Sequence, residues 1–424
     1  MTDDHTTEPA TLASPLTLPC GAVLANRICN AAMTEGLADP MNRAMERHVA
    51  LYGRWAEGGA GLNLTGNVQV DRRYMERPGN VAIDGNGGHQ ELAAYAAAGS
   101  AHGTHLWMQI GHAGRQTPRR VNPEPVAPSA VPLALPEAAF GHPRVLEAAE
   151  IEDVIRRFAH VAAAARETGF TGVQIHSAHG YLLSEFLSPL VNRRTDRWGG
   201  DLENRAQLLL GVVGAVRDAV GPDYPISVKL NSSDFQKGGF SHADCIQVVS
   251  WLGEAGIDLL EISGGNYEQP RMMGIDGREP VYADLGAVRE STRRREAYFL
   301  AYAERIRAVA RMPLMVTGGF RSRDVMSETL ADGECDVIGL GRPLCVDTAL
   351  AGDLIAGRVE VAQSYEHWID PAKAALSWFC LQLLRMGDGH DPDPEISGRA
   401  AIAAFLDNEE RTAARLARPQ LVRP

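Results

Sequence analysis

The feature that most constrains this chain is an eight-fold alternation. Short apolar runs recur at Arg27–Met33, Gly61–Thr65, His105–Ile110, Gly172–His176, Ile226–Leu230, Leu259–Ser263, Leu314–Thr317 and Asp336–Leu340. Between them, stretches such as Ile151–Thr168, Ala206–Val220, His242–Ala255, Arg293–Ala310 and Arg323–Ala331 place apolar residues three and four apart, as amphipathic helices do. Strands that alternate with helices pair in parallel through right-handed crossovers. An open doubly wound sheet would carry a Gly-rich dinucleotide turn after an early strand. Here Gly339-Leu340-Gly341 is followed by Leu344 where a third Gly is needed. The pattern therefore predicts an α/β fold, a closed TIM (β/α)8 barrel, with function at the C-terminal ends of its strands.

The barrel is expected over residues 15–347. Residues 1–14 lack periodicity and read as a mobile tail. Leu16–Leu24 has two apolar runs around Pro19-Cys20-Gly21, a hairpin signal, and forms an N-terminal lid. Residues 348–424 form a C-terminal helical extension on or beside the barrel, with helices expected over Asp370–Arg385 and Ser397–Arg415. Two long connections, Thr117–Ala149 with its seven prolines and the charged Gly264–Arg293, have the length of functional loops.

Lys plus Arg number 41 and Asp plus Glu 53, a formal charge of −12. That balance disfavours capture of nucleic acid or an anionic membrane face. No apolar run approaches the roughly 18 residues of a membrane span, and Met1–Glu8 has no apolar export core. A soluble, cytoplasmic protein is expected. Six cysteines contain no C-x-x-C pair, which leaves neither a zinc ribbon nor an iron–sulfur run.

Polar residues cluster at the strand ends. His176 closes the fourth apolar run and His179 follows three residues later, so the two side chains converge if the chain turns helically, with Tyr181 overhanging. Two imidazoles and a phenol suit a carbonyl oxygen held by two donors beside a proton source. A metal site and a satisfied structural pair are the alternatives, and the scarcity of carboxylates at these strand ends weighs against the metal. Thr34, Gly66, Gln109 and Lys229 lie at other strand ends. A buried amide and ammonium facing one site suit an electron-rich heterocycle; the bland alternative for Lys229 is a pair with Glu261. Gly318-Gly319 and Gly341-Arg342 follow the seventh and eighth strands, the usual phosphate cradle of such barrels, because bare backbone N–H groups approach an anion closely.

These strings, with Asn26-Arg27-Ile28, Gln109-Ile110-Gly111-His112-Ala113-Gly114-Arg115, His176-Ser177-Ala178-His179-Gly180-Tyr181-Leu182, Glu185-Phe186-Leu187-Ser188-Pro189 and Asn204-Arg205, resemble the old yellow enzyme family of FMN-dependent ene reductases from about Pro15 to Cys345. The resemblance implies noncovalent FMN across the barrel mouth and NADH or NADPH as reductant. Ala31, Ala32, Met33 and Thr34 would line the isoalloxazine, with Gly66 and Gln109 at its pyrimidine side. Lys229 would stand near N1, and Gly318, Gly319, Gly341 and Arg342 around the phosphate. His176 and His179 match the pair that binds the substrate carbonyl, and Tyr181 the proton donor. The implied partners are a nicotinamide nucleotide and an activated alkene, both served by one site. Family members range from monomers to larger assemblies, so a homo-oligomer is among the expectations.

Departures from the family pattern are equally specific. Lys229 replaces the usual Arg, which keeps charge and loses the planar fork. Thr34 stands where many bacterial relatives have Cys, and Gly36 where they have Tyr. Residues 346–424 show neither the cysteine spacing nor the Gly-rich fingerprint of the enlarged relatives that act on dienoyl-CoA or amines, which sets those branches aside. Arg293-Arg294-Arg295 reads as a solvated helix face, with a nucleotide phosphate as the sharper alternative. A metal-dependent barrel hydrolase and an FMN-binding protein without alkene turnover are the rival functions.

Overall fold

The computed structural model describes residues 9–135, 139–270, 296–297 and 299–416. Eight parallel strands form a closed ring: β1 Ile28–Asn30, β2 Leu62–Leu64, β3 His105–Gly111, β4 Gly172–Ser177, β5 Ile226–Asn231, β6 Leu259–Ser263, β7 Leu314–Thr317 and β8 Val337–Leu340. β8 pairs with β1, and β2 pairs with both β1 and β3, which closes the barrel. All eight strands coincide with the apolar runs of the sequence. Closure leaves no free edge, so the buried backbone groups of these strands are shared around the ring.

Side chains alternate across each strand. One set packs outward against the helices. The other fills the barrel with Cys29, Leu62, Leu64, Trp107, Leu259, Met315 and Val337. Gly172 is required there, because a Cβ would sit 2.5 Å from the indole nitrogen of Trp107. The expected hairpin forms, Leu16–Thr17 against Val23–Leu24, and pushes Leu18 and Leu24 into this inner cluster. Those residues meet the N-terminal ends of the strands, so the lid covers the bottom of the barrel. The described part of the supposed tail, residues 9–14, is docked: Leu12 is 3% exposed and its carbonyl accepts the Arg27 N–H.

Helix starts follow their caps. Asp201 accepts the Asn204 N–H ahead of Leu202–Val220, and Ser241 with Asp244 forms a capping box ahead of His242–Glu254. Of the helix expected at Arg293–Ala310 the structure describes Leu300–Arg307, while Arg293-Arg294-Arg295 and most of the Gly264–Arg293 connection lie outside the described residues. Among the described residues no helix is long and apolar enough to cross a membrane.

The extension folds back over the barrel mouth. A roof helix, Ala375–Gly387, packs between the helix Glu46–Glu57 and a terminal helix, Gly398–Arg415. The terminal helix is fastened through a buried ion pair, Arg77 Nη2 to Glu409 Oε1 at 2.6 Å, whose side chains are 4% and 6% exposed. Arg77 also donates to the Thr34 carbonyl at 3.0 Å. Its guanidinium fills the space beside Gly36, where a Cβ would lie 2.6 Å from Cζ, and Gly36 has φ +64°. This accounts for glycine at that departure from the family pattern.

Candidate active site

The C-terminal ends of the strands and the roof helix enclose a cavity of about 260 Å³. Ala31, Ala32, Met33, Thr34, Gln109, His176, His179, Tyr181, Lys229, Gly318, Gly319, Gly341 and Arg342 all line it. One expected residue does not. Gly66 N–H donates to the Tyr52 hydroxyl, and the position of its absent Cβ lies 1.7 Å from Glu35 Oε2. Gly66 thus makes room for a buried carboxyl that burial pushes up to about 7, and its neighbour Asn67 reaches the cavity instead.

A polar ladder crosses the barrel at one level. Gln109 Nε2 donates to Gln174 Oε1 at 2.6 Å, Gln174 Nε2 to Glu261 Oε2 at 2.8 Å, and Lys229 Nζ stands 2.9 Å from Glu261 Oε1. These residues come from β3, β4, β6 and β5, and the strand register sets Lys229 beside both His176 and Glu261. The Glu261 pair and the place in the cavity wall hold together for Lys229.

His176 and His179 converge, though by a route other than the helical turn the sequence suggested. His176 is the penultimate residue of β4, and the chain then turns through left-handed backbone at His179, φ 62°, and Gly180, φ 78°. Helix begins only at Leu182. A Cβ at Gly180 would meet Asn266 and Gln116 at 2.8 Å, so only glycine closes this turn. The imidazole centroids are 5.2 Å apart at 78°, and the Tyr181 ring lies 4.8 Å from His176 at 89°.

A backbone hydrogen bond sets the tautomer of His176. His176 Nδ1 accepts the Ala178 N–H at 3.2 Å, which leaves the proton on Nε2. His179 Nε2 meets the Ser263 hydroxyl at 2.7 Å, and its backbone N–H is held by Asn231. The neutral His179 ring carries its one N–H on Nδ1 where the Ser263 hydroxyl donates and on Nε2 where it accepts. Burial, and then the Lys229 charge, hold both imidazoles well below the ordinary histidine range, so both stay neutral and each keeps one N–H to donate. Burial raises the Tyr181 phenol well above its ordinary value, so it holds its proton.

The anion-binding side is built from turns. Gly318 and Gly319 have φ 118° and 95°, and a Cβ on Gly319 would sit 2.1 Å from the Glu296 carbonyl. Arg321 and Arg342 reach the same Glu366 oxygen at 2.6 and 3.4 Å. The Glu296 carboxylate takes the N–H groups of Arg321 and Ser322, so the donors of this corner already hold one anionic group.

FMN fits these residues on observations of the structure itself. Asn67 Oδ1 and Thr317 Oγ1 are buried at the wall with no hydrogen-bond partner, which calls for a polar ligand. The left-handed glycines bring bare backbone toward the side where Arg342 supplies a cation. Among the described residues no three His, Cys, Asp or Glu are placed to hold a metal ion.

The model of the NADH:flavin oxidoreductase / NADH oxidase family matches residues 11–360. The chain belongs to that family. It is 37% identical over 369 residues to the NADH-dependent flavin oxidoreductase iliE of Neonectria sp., which covers 82% of this chain and 47% of the relative. The iliE protein of Hypocrea jecorina is 36% identical over 355 residues, covering 79% and 86%. The chain thus spans about half of the first relative and most of the second. In fold it is similar to an old yellow enzyme homologue from Zymomonas mobilis, with TM-score 0.69, 23% identity and coverage of 84% and 96%. The family is one of NADH:flavin oxidoreductases, with FMN as cofactor.

Several cavity residues escaped the sequence. Ser263 and Thr317 are the last residues of β6 and β7, while Asn67 lies three residues past β2 and Arg321 four past β7. Ala375, Leu376, Phe379, Cys380 and Leu383 come from the roof helix. Their spacing of three and four was the available signal for a single apolar face.

Proposed function

We propose that this enzyme reduces activated alkenes, α,β-unsaturated carbonyl compounds or similar electrophiles, at the expense of NADH or NADPH. The observation that carries the reading is the convergence of His176, His179 and Tyr181 on one wall of the cavity. When bound, FMN would supply the hydride chemistry that links the nicotinamide to the β-carbon of the alkene. His176 Nε2–H and the ring N–H of His179 hold the substrate carbonyl and draw electron density from the double bond. Neutral donors in a dry site favour charge that develops on that oxygen. Tyr181 O–H then protonates the α-carbon. Gln109 and Asn67 offer amides to the pyrimidine edge, Lys229 a cation beside it, and Arg342 with the glycine turns a seat for the phosphate. Phe379 and Leu383 roof the cavity and keep water from the reacting atoms.

Anaerobic mixing of the yellow holoenzyme with NADH or NADPH, and then with enones, maleimides or quinones, tests this. Reoxidation by enones supports the reading. Oxidation by quinones or oxygen alone would leave a flavin oxidoreductase without alkene turnover.

A further inference from the structure

Tyr181 is 7% exposed, so once it has given its proton away it needs a route for another. Its hydroxyl stands 3.0 Å from that of Tyr267, a residue of the connection after β6. The Tyr267 hydroxyl in turn points at Glu76 Oε1, 3.5 Å away, while Glu76 Oε2 accepts the Thr34 hydroxyl at 2.7 Å and Asn80 Nδ2 at 3.4 Å. Glu76 and Tyr267 both keep partial exposure.

The orientation of Arg77 shows that this carboxyl is not simply half of an ion pair. The guanidinium beside it in sequence turns to Glu409 and to the Thr34 carbonyl. Glu76 is left facing the phenols. Burial, with the charge of Glu409, raises its carboxyl, against the opposing pull of Arg77 and the Thr34 hydrogen bond. It therefore retains a proton at higher pH than an ordinary glutamate.

We propose that Tyr267 and Glu76 form a relay that reloads Tyr181 with a proton after each alkene reduction. The inference rests on the proposed role of Tyr181. In each turnover the Tyr181 O–H bond breaks as the α-carbon gains its C–H bond. The Tyr181 phenolate takes the hydroxyl proton of Tyr267, Tyr267 takes the carboxyl proton of Glu76, and Glu76 takes one from water. The balance is one hydride from the nicotinamide and one proton from solvent per alkene, with no change of oxidation state in the relay itself.

The test uses pre-reduced holoenzyme mixed rapidly with an enone, followed through flavin reoxidation and the near-ultraviolet phenolate band. In Tyr181→Phe the first turnover itself should slow about a hundred-fold or more, the span of a lost general acid. In Tyr267→Phe and in Glu76→Gln the phenolate band formed in that turnover should persist at least about ten-fold longer than in wild type, a fraction of that same span. Tyr267→Phe keeps the ring and so guards against loss of fold in the other variant. A phenolate band absent, or decaying at the wild-type rate, in both variants while Tyr181→Phe is slow would overturn the relay and leave the proton donor standing. A Tyr181→Phe first turnover at the wild-type rate would overturn the donor and the relay together.

Discussion

Lys229 and Glu261 face each other across neighbouring strands with 2.9 Å between ammonium and carboxylate, the lysine 5% and the glutamate 0% exposed. Breaking a buried pair from one side strands a charge, at a cost of about 3–5 kcal/mol, whereas replacing both partners together costs far less. Lys229→Met should therefore lower unfolding free energy strongly, and the double variant with Glu261→Leu should recover most of it, measured by denaturant titration. In protein that retains FMN, Lys229→Met should also lower the flavin midpoint potential, because a cation beside the pyrimidine edge favours the reduced, negatively charged ring. Lys229→Arg should restore the potential. An unchanged potential in Lys229→Met would place the ammonium's influence on Glu261 alone.

The two histidines should act on the alkene step. Removing one preorganised donor costs on the order of 2.7–4 kcal/mol of transition-state stabilisation elsewhere. His176→Ala and His179→Ala are expected to slow enone reduction by a corresponding factor and to weaken binding of phenolic ligands. Enone reduction at the wild-type rate in both would make the pair structural.

Arg342 should matter to cofactor retention. A charge-assisted contact to phosphate is worth roughly 1.5–3 kcal/mol, and Arg342→Ala removes it while leaving Arg321 to Glu366. Ultrafiltration of the denaturable yellow protein gives the dissociation constant for FMN. An affinity equal to wild type would move the phosphate seat elsewhere.

Stability should carry a distinct pH signature from Glu185. Its carboxyl is 1% exposed and burial pushes it up to about 8, with Arg115 opposing. A group whose folded value is raised contributes fully below its unfolded value, 4.5, and loses that contribution as pH climbs through 8. Relative to Glu185→Gln, wild type should thus lose up to about 1.4 kcal/mol per pH unit across that window. Equal pH slopes in the two proteins would show that Glu185 is ionised in the fold.

The barrel was legible because its signal is local. Strand runs such as Leu259–Ser263 and Leu314–Thr317 announce themselves by apolar content and by the helical spacing between them. His176, His179 and Tyr181 lie within one six-residue string, so their convergence was legible even though the turn proved left-handed at His179 and Gly180 and not helical. Contacts made by ring closure were harder to see. Gln174 sits mid-strand with nothing in its neighbourhood to link it to both Gln109 and Glu261. The Arg77–Glu409 pair joins residues 332 apart in sequence, and Phe379 reaches the cavity from a roof helix that packs against both the helix Glu46–Glu57 and the terminal helix which that pair fastens.

The plug made by Leu18 and Leu24 has a bearing on traffic. With the far end of the barrel stoppered, a nucleotide and an alkene bound as proposed would share the cavity at the C-terminal mouth, and neither could be flushed out from behind. Each must back out the way it came before the other can dock. Turnover should accordingly climb and then fall as nicotinamide is raised against a fixed low alkene concentration, since the reductant that charges the enzyme also stands in the door.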